Sequence, residues 1–209
     1  MKQQLLTMLE LQDGMNSKVN PNWVEQNYEW YRAIWIECAE LLDHYGWKWW
    51  KKQTPDQEQV VLELVDIWHF GLSILLLTGE SRETIVSYAE SQLKVNEPGS
   101  NFPADLESFA LITLHTKGFD VAGFATLMAD IGLSFDELYT RYVGKNVLNF
   151  FRQDYGYQDG SYHKQWGGKE DNEHLVEVID SLDHSSRSFK DDVYSALQQR
   201  YQELNNVSA

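Results

Sequence analysis

The chain has 209 residues, 43% hydrophobic and 23% charged, a globular composition that excludes disorder and collagen-like structure. Its 17 Lys and Arg face 32 Asp and Glu, a net charge of −15 that repels nucleic acid and anionic membrane surfaces. One cysteine, Cys38, excludes an intramolecular disulfide framework and fits a reducing compartment.

Met1 to Gln12 lacks a basic stretch followed by an apolar run, so no secretory signal is expected. In chain order, Asn22 is expected to cap a helix from Trp23 to about His44, stopped by Gly46. Thr54, Pro55 and Gln57 read as N-cap, first helical position and capping-box partner of a second helix. That helix runs to Thr78, with Gly79 as its left-handed stop. Its apolar stretch, Val60 to Leu77, is broken by Glu63, Asp66 and His69, which argues against a membrane span. Ser81 caps a helix to about Val95. Ala104 to Lys117 ends at Gly118, and Val121 to Ile131 ends at Gly132. Ser134 with Glu137 forms a capping box for a helix to about Arg152, and two more helices follow near 171–182 and 189–204. Segments 96–103 and 153–169 read as loops. No Asn-Gly hairpin and no sustained alternation predict strands. The expectation is one all-α domain over 1–209, with a mobile basic loop near 153–169, a helical region 173–209 and a cytoplasmic location.

Two acid pairs stand out. Glu37-x-x-Glu40 and Glu63-x-x-Asp66 each place two carboxylates on one helix face, about a turn apart. Leu62, Leu64, Val65, Ile67 and Trp68 surround the second pair and leave it little polar face to share. A buried carboxylate must protonate or find a cation. Four acids facing across two antiparallel helices suit hard divalent cations with oxygen ligands, Mg²⁺ first. A di-iron bundle would need two Glu-x-x-His motifs, whereas Asp66-x-x-His69 occurs once and His44 lies at i+4 from Glu40. Cys38 and His69 read as packed core residues.

Segment 141–169 reverses the global charge, with five Lys and Arg against two Asp. Phe150, Phe151, Tyr155, Tyr157, Tyr162 and Trp166, interleaved with glycine, read as a loop folded around a ligand. Basic side chains beside a metal cluster suit a polyphosphate. No Walker or Rossmann glycine fingerprint is present.

Four stretches carry a resemblance. They are LQDGMN (11–16), then ECAEL (37–41) with GWKWWK (46–51), then ELVDIWHF (63–70). The last is KNVLNFFRQDYGY (145–157), continuing through YHKQW (162–166) to EDN (170–172). In this order and spacing they resemble the all-α nucleoside triphosphate pyrophosphohydrolases, and among them the dimeric dUTPase family, over residues 9 to 172. The resemblance implies a helical bundle with the metal site between two antiparallel core helices. It implies hydrolysis of dUTP to dUMP and diphosphate by a homodimer, with dUDP open as a second substrate. Two or three Mg²⁺ would be held by Glu37, Glu40, Glu63 and Asp66, with Glu37 the base for the attacking water and Asp66 near the 3′-OH. Gln12 and Asn16 would read the uracil edge, Trp47 and Trp49 line the base pocket, and Asn172 complete it. Lys145, Arg152 and Lys164 match phosphate-binding positions, and Asn149 stands one turn from Lys145. An amide suits either uracil or cytosine by rotating, so base choice needs a second fixed partner, from Asn172 or backbone. Two other readings remain: a dCTP or broader pyrophosphohydrolase on the same scaffold, and a helical interaction protein with a vestigial metal site.

Overall fold

Helix α3 (Gln57–Leu76) is apolar on nearly every side, and Val60, Leu64, Val65, Ile67 and Trp68 have no exposed surface. A helix of that pattern is stable only as the centre of a bundle. In this computed structural model it packs most extensively on α2 (Trp30–Tyr45), and further on α1 (Lys2–Val19) and α4 (Arg82–Leu93). The structure describes residues 1–94, 97–99, 101–184, 186 and 188–205. By length and composition α3 alone among them could cross a membrane, and its apolar stretch is mostly buried inside the protein.

The order is completed by α5 (Phe102–Thr116), α6 (Val121–Asp130), α7 (Phe135–Asp154), β1 (Gln165–Trp166), β2 (Lys169–Glu170), α8 (Asp171–Ser181) and α9 (Phe189–Asn205). The fold is all-α. The described residues form two compact units, 1–139 and 140–209.

In the first unit α2 and α3 run antiparallel. The Asp56 N–H donates to the His44 carbonyl at 2.9 Å, His44 Nε2 lies 3.6 Å from Glu63 Oε1, and the Trp30 and Phe70 rings stand 6.0 Å apart. Partners thus climb along α3 as they descend along α2. The Asp56 bond also holds that residue extended, so Asp56, not Thr54, is the N-cap, its carboxylate accepting from the Gln59 N–H at 3.2 Å.

The helix expected from Trp23 to His44 is broken. Trp23–Gln26 form a 3-10 turn, Asn27 turns left-handed at φ 54°, and α2 restarts at Trp30. Asparagine tolerates that conformation where most residues do not. Gly46, Gly79 and Gly132 have the positive φ expected of helix stops, but α5 begins at an Asn101 cap and ends on left-handed Lys117, not at Gly118. Position 95, the expected end of α4, and part of loop 96–103 lie outside the described residues, as do 206–209.

Beneath α3 an aromatic cluster closes the core. Trp68 stacks on Phe124 at 4.9 Å and meets Phe119 edge-on at 5.7 Å. In the second unit Tyr142, Leu148 and Phe151 of α7, Leu175, Val178 and Ile179 of α8, and Val193 and Leu197 of α9 are fully buried. The 153–169 segment is more ordered than a plain loop. Its end is a hairpin pairing Gln165 with Glu170 and Trp166 with Lys169, turned through Gly167 and Gly168 at φ 56° and 87°. Two consecutive positive φ values need glycine, and Gly-Gly serves here as the hairpin turn that Asn-Gly more often supplies.

Gly71 of α3 has no room for a side chain, because a Cβ there would lie 2.5 Å from the Phe119 ring. Gly71→Ala gains helix propensity of about 1 kcal/mol but overpacks a rigid ring at about 1–3 kcal/mol. A thermal melt should show a net fall in Tm of a few degrees; a raised Tm would mean that Phe119 yields without cost.

Candidate active site

The α2–α3 pair brings three carboxylates together. Glu37, Glu63 and Asp66 each offer an oxygen, all within 4.8 Å of one another, the one such group of three potential ligands among the described residues. Glu63 is buried at 5% exposure, between Leu62 and Leu64. Burial first, then the charge of Asp66, a hydrogen bond with Glu63 and the charges of Glu63 and Glu40 push the Glu37 carboxyl up to about 9. The three converging donors are all oxygens, the donor set of a hard divalent cation, with the His44 Nε2 at their edge, 3.6 Å from Glu63 Oε1. The residues present therefore fit the metal that their pattern implies.

Glu40, the fourth expected ligand, is exposed and outside the converging three, though its charge acts on Glu37. Cys38 is buried, and burial with the Glu37 charge pushes its thiol up to about 12, so it stays neutral in the core.

Gln12 and Asn16 are not on an outer face of α1. Both are buried, at 4% and 5% exposure, against α3. Gln12 Oε1 lies 2.7 Å from His69 Nδ1, and Gln12 Nε2 donates to Asn16 Oδ1 and to Ser73 Oγ at 3.0 Å each. Asn16 Nδ2 donates to the same Ser73 Oγ at 3.0 Å. His69, expected as a packed core residue, is thus also a polar partner, and Ser73 was not anticipated at all. Trp47 and Trp49 lie beyond the end of α2, 44% and 87% exposed, each edge-on to Trp50.

In the second unit the basic residues are held by acids and amides. Lys145, 2% exposed, donates through Nζ to Asn172 Oδ1 at 2.9 Å. Arg152 grips Asp171 with two bonds of 2.8 Å and reaches Asn149 Oδ1 at 3.3 Å and Asn172 Oδ1 at 3.4 Å. Tyr162 Oη donates to Asp171 at 2.8 Å. Burial pushes Asp171 upward, but Arg152, Tyr162 and Lys145 outweigh it and hold its carboxyl below the usual range. Sequence reading missed Asp171 as a site residue, although it stands inside the EDN stretch; a buried acid opposite an arginine has no spacing rule to reveal it. Lys164 and Arg152 both lie over the Tyr157 ring, 5.8 Å from its centre, while Lys169 is paired with Glu177. The loop aromatics pack mainly on one another: Phe151 touches Tyr155, Tyr162, Trp166, Tyr194 and Tyr201, and Trp166 is fully buried.

Two measurements check these charges. In chelator, Glu37 binds its proton more tightly folded than unfolded. Its contribution is full below pH 4.5 and lost as pH rises to about 9. The metal-free Tm should fall by several degrees across that window at about 2–4 °C per kcal/mol, and Glu37→Gln should flatten the fall; an unchanged slope in the variant would remove Glu37 as its source. Arg152→Ala should cost about 3–5 kcal/mol in denaturant unfolding, because it strands Asp171 as a buried charge; an Arg152→Ala, Asp171→Ala double variant as unstable as the sum of the two singles would deny the coupling.

The family model described as dUTPase matches residues 4–157 of the chain. No curated protein matches it.

Proposed function

The chain belongs to the dimeric, all-α dUTPase family, and on that premise we propose that it hydrolyses dUTP to dUMP and diphosphate with Mg²⁺. At the coarser level it is a hydrolase, a dUTP diphosphatase of the nucleotide pyrophosphatase kind, in a family that uses divalent metal. The observation that carries the proposal is the convergence of Glu37, Glu63 and Asp66 within 4.8 Å.

Those three acids, with Glu40 beside them, would hold two or three Mg²⁺. Such ions, when bound, neutralise phosphate oxygens and make a water more acidic. The protein's own groups do the rest. Glu37 is assigned as the base that takes the proton of the attacking water. The water oxygen bonds to a phosphorus of the α–β bridge as that phosphorus's bond to the bridging oxygen breaks, giving dUMP and diphosphate. Asp66 is assigned to the 3′-OH as well as to metal. In the second unit Lys145, Arg152 and Lys164 are assigned to the phosphates, with Asn149 and Asn172 orienting them through the bonds just described. Gln12 and Asn16 are assigned to the uracil edge, and Trp47 and Trp49 to the base. The assembly proposed is a homodimer.

Incubation with each dNTP and Mg²⁺, with product separation, tests substrate and reaction together. Glu63→Gln and Asp66→Asn should each lower kcat by about 10³-fold or more, the scale of a lost electrostatic stabiliser, while circular dichroism stays that of the wild type. Near-wild-type turnover in both would overturn the assignment.

A further inference from the structure

A side-chain amide can turn its donor and acceptor ends around, so an amide reader selects a base only if something fixes its direction. The α1–α3 contact contains such a device. The Ser73 hydroxyl lies 3.2 Å from the His69 carbonyl, one turn back on α3. A carbonyl only accepts, so the single hydroxyl proton is spent there. Ser73 Oγ must then accept from whatever else it meets, and it meets Gln12 and Asn16, each at 3.0 Å. Both therefore present their NH₂ groups to Ser73. Gln12 sends its other N–H to Asn16 Oδ1 at 3.0 Å, and its Oε1 faces His69 Nδ1 at 2.7 Å. That ring nitrogen must carry a hydrogen. One backbone carbonyl thus sets the direction of the serine, both amides and the histidine ring.

We propose that Ser73, acting from the His69 carbonyl, is the positioning residue that makes this enzyme prefer uracil to cytosine. The inference rests on the reading of Gln12 and Asn16 as base readers. The bonds described use one of the two Asn16 N–H groups and one of the two Oδ1 lone pairs. They leave a donor and an acceptor side by side. A uracil held by its sugar and phosphates offers an acceptor at position 4 and a donor at position 3, which an amide of one direction matches. Cytosine offers a donor at 4 and an acceptor at 3, and needs the same amide reversed. Reversal would point the Asn16 carbonyl at Ser73 Oγ and its NH₂ at the Gln12 NH₂, leaving like groups facing at 5% exposure. Buried groups left unpaired are the strongest source of substrate rejection. No loop residue is needed for the choice.

The test is the ratio of kcat/KM for dUTP over dCTP. A merely structural role for Ser73 would lower both values together and leave the ratio alone. Ser73→Ala removes the shared acceptor and should lower the ratio by roughly tenfold or more, the scale of one or two buried hydrogen bonds, while Ser73→Thr, which keeps the hydroxyl, should retain it. An unchanged ratio in folded Ser73→Ala, beside a wild type that prefers dUTP, overturns this inference alone. A wild type that turns over dCTP as fast as dUTP overturns the uracil reading and this inference with it. Should Ser73→Ala not fold, nitrogen NMR of the wild-type histidines decides: His69 protonated at Nδ1 supports the chain of directions, and Nδ1 without a proton breaks it.

Discussion

Three carboxylates crowded within 4.8 Å between α2 and the apolar α3 repel one another, and the packing of α3 holds them there. The medium that keeps water out also strengthens the repulsion. Glu37 responds by keeping its proton to about pH 9. That strain has to be offset elsewhere, and α3 shows where: Val60, Leu64, Val65, Ile67 and Trp68 are all wholly buried around the acids. The site is thus expensive when empty and stabilised by a dication. A protein that stores repulsion in this form binds metal with the free energy that relieving it returns.

The second unit buries charge as well and reaches the opposite balance. Asp171 also meets a burial penalty, but Arg152 meets it with two parallel bonds of 2.8 Å and Tyr162 adds a third. Its carboxyl falls below the usual range, whereas that of Glu37 rises. The difference lies in the partner. A carboxylate with a guanidinium in place is complete and structural, and its arginine is held in one orientation. A carboxylate whose nearest neighbours are carboxylates is incomplete, and incompleteness is what a binding site needs.

Much of this was legible in the sequence, and the limits follow from the range of the interactions. The i, i+3 spacing of Glu37 with Glu40 and of Glu63 with Asp66 fixes which face each pair shares, because helix geometry is local. The same holds for the Ser81 cap and the turn at Gly46. The displaced cap at Asp56 was not legible, since it depends on a bond to His44, twelve residues back. Nor was the break at Asn27, where an ordinary helical composition hides one left-handed residue. Of the four acids only three converge: Glu40 shares the face of Glu37 by spacing, but one turn further along α2 that face is exposed. Ser73 and Asp171 meet their partners 57 to 61 and 19 residues away, distances at which no periodicity speaks.

Helix α3 carries the acid cluster and the polar partners of the α1 amides. Glu63, Asp66, His69 and Ser73 fall within an arc of about 120° on its surface, at 100° per residue, and past the first turn every other side is apolar. The acids belong to the turn that meets α2, and the serine and histidine to the turns that meet α1. Ten residues separate the ends, about 15 Å of rigid rod. The register between the acid cluster and the proposed base-reading groups is therefore set by helix geometry and not by a loop. A rigid register has a second effect. The amide direction on α1 derives from a backbone carbonyl of α3, and such a group cannot rotate without breaking the helix. A side chain in that place could have turned to suit either base. A main-chain carbonyl holds one direction for as long as the helix that carries the acids is folded, so on the proposed reading selection of the base and assembly of the acid cluster stand or fall as one cooperative structure.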